Sequence, residues 1–191
     1  EISACLVGSE MCIRDSNQSA IIAFKVSRKD YSGFHIAASH SDSPTLKIKE
    51  SSEMNIENQY VKLNVEKYGG MLCAPWFDRP LSVAGRIIVK DGNRLTTKLI
   101  NVDRDLLMIP NLAIHMNREV NDGYKYNIQK DMLPLYRMSN SGKAFKEMIA
   151  EEAGVSVDQI KGMDLFLYNR MEGTVWGCDG EFISAPRLDD L

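Results

Sequence analysis

The stretch Gly33-Phe34-His35-Ile36-Ala37-Ala38-Ser39-His40-Ser41-Asp42-Ser43-Pro44 decides how the chain is read. Residues 33–39 are apolar or small almost without a break, the pattern of a strand buried on both faces. His40 and Asp42 follow at the exit of that expected strand. In an extended or tightly turning segment, residues two apart point the same way, so the Asp42 carboxylate belongs beside the His40 ring or beside whatever that ring holds. This is the spacing of a metal ligand and its orienting carboxylate. A hydrogen-bonded surface histidine has the same pattern, and the run alone leaves both readings open. Pro44 cannot donate to a ladder and holds Ser43 extended, so the pair sits at a strand edge.

Toward the N-terminus, residues 20–26 and 34–39 read as two short strands joined through the turn signal Asp30-Tyr31-Ser32-Gly33. Residues 1–16 show no clear period. Met11-Cys12-Ile13-Arg14-Asp15-Ser16 looks like translated adapter sequence, so residues 1–18 are expected to be non-native or disordered. Toward the C-terminus, residues 45–49 alternate Leu46 and Ile48 with Lys47 and Lys49, a half-exposed strand. Past Ser51-Ser52 the texture becomes a series of short strands at 60–65, 81–90 and 95–102, broken by Gly69-Gly70 and by the hairpin signal Asp91-Gly92. Closely spaced strands with tight turns predict a small barrel or sandwich.

Two helices are expected within this region. Residues 110–118 place Leu112, His115 and Met116 on one face, which by spacing makes His115 a half-buried helix residue. Residues 141–153 gather Phe145, Met148 and Ile149 opposite Lys146, Glu147, Glu151 and Glu152, with Ser141 as a cap and Gly154 as the stop. Glu151-Glu152 therefore reads as solvated surface. Residues 163–168 and 174–176 read as strands around Met171-Glu172-Gly173. Last, Glu181-Phe182-Ile183-Ser184-Ala185-Pro186-Arg187-Leu188-Asp189-Asp190 runs an apolar strand into carboxylates. Two strand exits, one His-x-Asp and one Asp-Asp, suit a metal site built from sheet edges. A capped helix start accounts for the aspartates equally well.

Composition narrows the function classes. The 191 residues carry 23 Lys+Arg against 26 Asp+Glu, a net charge of -3, with no block of like charge. Recognition of nucleic acid or a membrane surface by bulk charge is not expected. No stretch approaches the roughly 20 apolar residues of a membrane helix. Cys5, Cys12, Cys73 and Cys178 form no CxxC pair, which points to unpaired thiols in a reducing, cytoplasmic setting.

Four segments together carry a family resemblance: residues 33–44; Tyr68-Gly69-Gly70 with Trp76-Phe77-Asp78-Arg79; Leu112-Ala113-Ile114-His115 with Arg118; and Ser184-Ala185-Pro186-Arg187-Leu188-Asp189. In this order, over residues 19–191, they resemble the aspartyl aminopeptidase family of two-metal, usually zinc, exopeptidases. The resemblance implies an α/β catalytic domain of the phosphorylase/hydrolase type, interrupted by a β-rich, barrel-like dimerisation domain. On that basis residues 19–50 and 179–191 belong to the catalytic domain and 51–178 to the insertion. It further implies that His40 is a ligand to one Zn2+, Asp42 the carboxylate that orients it, and Asp189 the carboxylate bridging both metals. Asp190 stands where the family often has Asn. His115 corresponds to the residue that reaches across the dimer to steady the transition-state oxyanion.

The implied activity is removal of N-terminal residues from peptides by zinc-activated water, in a homodimer or larger homo-oligomer; the family name suggests acidic residues, with a neutral or hydrophobic preference left open. The family's remaining ligands and its Glu-Glu general base have no counterpart here. The chain is thus expected to be a fragment truncated at the bridging aspartate and inactive by itself. The competing expectation is a non-catalytic assembly module. A dinucleotide or phosphate site is excluded, since neither Gly-rich signature occurs.

Overall fold

The computed structural model describes residues 11–16, 20–25, 32–40 and 42–188. Two compact units are distinguished: one of residues 1–43 with 188–191, the other Pro44–Arg187. In the first, β1 (Met11–Ser16) pairs antiparallel with β2 (Ala20–Lys25), Met11 opposite Lys25 and Ser16 opposite Ala20. The expected partner of β2, residues 34–39, is not a strand. It carries no regular structure, and Phe34 and Ile36 are 78% and 85% exposed. A strand apolar on both faces is stable only with neighbours beside it and layers over it, and the described part of this unit builds no such sheet.

The second unit is a mostly sheet α/β fold. Its strands are β3 (Thr45–Ile56), β4 (Tyr60–Tyr68), β5 (Leu81–Asp91), β6 (Arg94–Asn101), β7 (Leu135–Met138) and β8 (Ile160–Asn169). They form one antiparallel sheet in the order β6-β5-β8-β3-β4-β7. Isolated bridges then tie Leu107 to Leu81 at the start of β5 and Met108 to Leu135 at the start of β7. Backbone hydrogen bonds of 2.9 Å (Leu81 N to Leu107 O) and 2.8 Å (Leu135 N to Met108 O) hold this segment on both sides.

Alternation decides the buried face. Leu46 and Ile48 of β3, Leu63 and Val65 of β4, Val83 and Ile87 of β5, and Leu165 and Leu167 of β8 point inward and are at most 4% exposed. The sheet also buries two hydroxyls, each satisfied by a carbonyl: Thr45 donates to Leu167 (2.6 Å) and Ser82 to Val102 (2.5 Å). β3 is longer than its alternating run suggests, because it bulges. The register jumps between Ile48 and Glu53, so residues 49–52 face Asn64 alone, whose Nδ2 donates to Ser51 O at 3.2 Å. The β5–β6 turn is Gly92-Asn93, one residue later than the expected pair. Gly92 takes φ +56° at the first central position, the type II′ requirement.

Of the two expected helices, one forms. The helix α2 (Phe145–Ala153) buries Phe145, Met148 and Ile149 against the sheet (α1, Ile128–Asp131, is a single turn capped by the Asn127 side chain, which the sequence pattern did not single out). It starts at Ala144, not Ser141. The Glu147 carboxylate accepts from Ala144 N, while Glu53 of β3 accepts from Phe145 N at 2.9 Å. It ends at Gly154 in the left-handed region, with Val155 N on Ala150 O and Gly154 N on Glu151 O, a Schellman closure. Glu151 lies on the outer face and pairs with Lys143 at 2.6 Å.

The helix expected over 110–118 is instead a run of turns at 114–116 and 118–123. Its apolar face finds nothing to cover it: Leu112 and Met116 are 55% and 75% exposed. A helix this short is marginal without such packing. Asn111 also turns its side-chain carbonyl onto Leu112 N, the local bond that competes with a helical start. Finally, β9 (Thr174–Trp176) pairs with β10 (Phe182–Ser184) rather than with β8, Trp176 stacking on Phe182 at 4.8 Å. Cys73 and Cys178 are free thiols. No helix among the described residues is long and apolar enough to cross a membrane.

Candidate metal centre

His40 lies in the extended segment that leads to Pro44. Its Nδ1 is 2.9 Å from the main-chain oxygen of Asp42 and 3.3 Å from the Asp42 carboxylate Oδ1. A carbonyl only accepts, so this bond places the N–H on Nδ1, and in the neutral ring Nε2 carries the lone pair. One residue therefore grips the ring twice, by its backbone and by its side chain. With the two side chains 49% and 59% exposed, the carboxylate contact itself contributes little to stability. Its effect is directional: it fixes the tautomer and the orientation of the ring.

The other candidates fall elsewhere. Asp189 and its neighbour Asp190 lie outside the described residues. His115 sits in the exposed turn at 114–116 of the second unit. Zinc suits an imidazole nitrogen whose opposite N–H is engaged by a carbonyl or carboxylate, and His40 with Asp42 meets that requirement. Among the described residues, no group of three or more His, Cys, Asp or Glu converges to complete a site.

Two of the four motif segments are joined by a residue that spacing did not mark. Asp78, in Trp76-Phe77-Asp78-Arg79, takes φ +55°. Its N–H donates to Ile109 O and its carboxylate Oδ1 accepts from Asn111 N, both at 2.9 Å. Beside it, Phe77 bridges Ile109, and both are buried. The loop that carries His115 is therefore clamped at its start to the Asp78 turn. The sequence signal for this was present but faint: aspartate is among the few residues that tolerate a left-handed backbone, and Pro110-Asn111 marks a turn.

Comparison with known proteins identifies the family. Residues 11–191 match the family described as aminopeptidase I zinc metalloprotease (M18). A probable M18 family aminopeptidase 2 of Clostridium acetobutylicum is 49% identical over 184 residues, covering 92% of this chain and 42% of that protein. The chain thus spans less than half the length of this relative. Among solved structures, that of the Ape4 and Nbr1 complex superposes with TM-score 0.80 at 32% identity, over 92% of this chain and 38% of that one. The mApe1 dodecamer of S. cerevisiae superposes with TM-score 0.62 at 26% identity, over 80% and 34%. With the family model matching nearly its whole length, the chain belongs to the M18 aminopeptidase I zinc metalloprotease family.

Proposed function

We propose that this chain is part of a zinc aminopeptidase of the aspartyl type, which removes acidic N-terminal residues from peptides at a two-zinc site. The observation that carries the reading is the double engagement of His40 Nδ1 by Asp42, on a chain of this family. His40 would hold one metal through Nε2, Asp42 would keep the ring oriented, and Asp189 would bridge. Bound zinc would supply Lewis-acid polarisation of the scissile carbonyl and an activated water. His115 would donate an N–H to the developing oxyanion in a neighbouring subunit. That placement is supported by the exposure of its loop, where Leu112, Ile114 and Met116 also face outward.

Residues 19–50 and 179–191 are assigned to the catalytic domain and 51–178 to a barrel-like dimerisation insertion. The barrel is supported by the bridges that carry the ladder from β7 through residues 107–109 to β5. Homo-oligomerisation is supported by the dodecameric relative. A cytoplasmic location follows from the cysteine pattern. The expectation that residues 1–18 are non-native or disordered is kept only for residues 1–10, since the family match begins at residue 11 and Met11–Ser16 form β1. The 191-residue chain by itself is assigned as inactive, since the ligands matched to the family are His40 and Asp189 alone.

The test compares a full-length enzyme carrying this sequence with the 191-residue chain, on aspartyl- and leucyl-p-nitroanilide, before and after zinc removal. Zinc-dependent release with the aspartyl substrate preferred, by the full-length enzyme only, is expected. A full-length enzyme indifferent to chelation overturns the reading. Assembly without hydrolysis would instead establish the module.

A further inference from the structure

We infer that Asp78 is the positioning residue for His115: it fixes the take-off of the loop that delivers the imidazole, through its hydrogen bond to the Asn111 amide. The inference rests on the role proposed for His115 and goes beyond it. The loop beyond Asn111 has little to hold it. It forms no helix, and its apolar side chains at 112, 114 and 116 are exposed rather than packed. What fixes it is upstream. Ile109 is fully buried and bridged to Phe77, so the chain leaves the core at a set point. Immediately after this exit, the Asp78 carboxylate takes the Asn111 N–H at 2.9 Å, and Asn111 takes Leu112 N at 2.9 Å.

A side chain reaches Asn111 from position 78 because the backbone there is left-handed, at φ +55°. In a residue other than glycine that conformation is costly, and it persists where surrounding bonds hold it. Here those bonds are the Asp78 N–H on Ile109 O and the carboxylate on Asn111 N. The turn and the loop are thus mutually fixed at Ile109 and Asn111, six and four residues before His115. Loss of the side-chain bond leaves the buried anchor at Ile109 intact and frees the loop beyond it.

Three substitutions at one position separate this from a structural role. Asp78→Asn keeps both the tolerance for a left-handed backbone and an acceptor oxygen. Asp78→Gly keeps the backbone conformation and removes the acceptor. Asp78→Ser, whose side chain stops short of the amide, serves where the glycine variant fails to fold. In the full-length oligomeric enzyme, displacement of a catalytic group by about 1 Å costs on the order of 100-fold, so Asp78→Gly is expected to lower kcat at least about 10-fold with KM little changed. Asp78→Asn retains most of the rate. In a His115→Ala background, Asp78→Gly adds nothing further, because residues acting as a unit are not additive.

Full additivity of the two losses, or an unimpaired Asp78→Gly enzyme beside a crippled His115→Ala enzyme, overturns the inference. An unimpaired His115→Ala enzyme instead defeats the role proposed for His115, a different outcome read from a different variant.

Discussion

Pro44 lies over Gly69: a side chain at that glycine would meet the proline Cα at 3.4 Å, and the glycine itself takes φ +78°. Pro44 thus rests against the Tyr68-Gly69-Gly70 turn, two positions 25 apart that β3 and β4 bring together through the pairing of Thr45 with Tyr68. Replacing Gly69 by alanine imposes a left-handed backbone on a residue with a Cβ and crowds Pro44. The expected loss is about 1–2 kcal/mol, read from the shift in urea midpoint at unchanged slope.

Glu53 joins a strand to a helix. Its carboxylate accepts from Phe145 N at the start of α2 and receives Arg137 at 3.4 Å, with both ionic side chains largely withdrawn from solvent. Glu53→Ala leaves the helix amide without its acceptor and takes the carboxylate from Arg137, whose guanidinium keeps the carbonyls of Met138, Ser139 and Ser141, and is expected to cost about 2 kcal/mol. Glu53→Gln keeps an acceptor but no charge and should cost about half that, by the same denaturation measurement.

Tyr136 packs edge-on to Phe145 at 5.8 Å and donates to Lys143 O at 3.1 Å. Burial, then the Glu53 carboxylate, pushes its hydroxyl above the ordinary 10.0. The folded chain therefore holds this proton more tightly than the unfolded chain. The resulting stability is complete below pH 10 and is lost as pH rises through the folded value. Tyr136→Phe is expected to cost about 1 kcal/mol at pH 7 through the lost hydrogen bond and to flatten the decline above pH 10, seen in urea midpoints from pH 8 to 11.

For the metal, the closer contact to His40 Nδ1 comes from the Asp42 main chain, which no substitution there removes. Orienting partners of ligating histidines are worth about 10–100-fold in affinity. Asp42→Asn in the full-length enzyme should therefore lower zinc affinity near the 10-fold end, measured by competition against a chromogenic chelator. His40→Ala should lower it far more.

Much of the second unit was legible because an antiparallel strand with one buried face writes its alternation into the sequence, as β4 does, and because β5 is an apolar run closed by a turn signal. The helix α2 was legible for the matching reason, an apolar face at i, i+3 and i+4 with glycine after it. Residues 110–118 have the same spacing but no surface to pack on, and spacing alone cannot tell the two apart. Residues 33–39 failed in the opposite way: their composition asks for neighbours on both sides, which the described residues do not provide. Of the candidate site, the His40–Asp42 pairing was legible from their separation, whereas the main-chain share of it was not. Asp78 escaped because its part depends on a backbone dihedral and on a partner 33 positions away.

The bond from Thr45 to Leu167 spans 122 positions. At a synthesis rate of about 5–20 residues per second, β3 leaves the ribosome roughly 6–24 s before β8 can pair with it. In that interval β4 closes one side of β3 as a local hairpin, and the other side stays bare. The residue of β3 that later meets Phe166 is Lys47, which already stands opposite Glu66 of β4. A charged side chain on an unpaired strand disfavours pairing with other chains, so Lys47 is expected to guard β3 until its true partner is made, and the half-exposed alternation then serves the chain before it is folded as well as after.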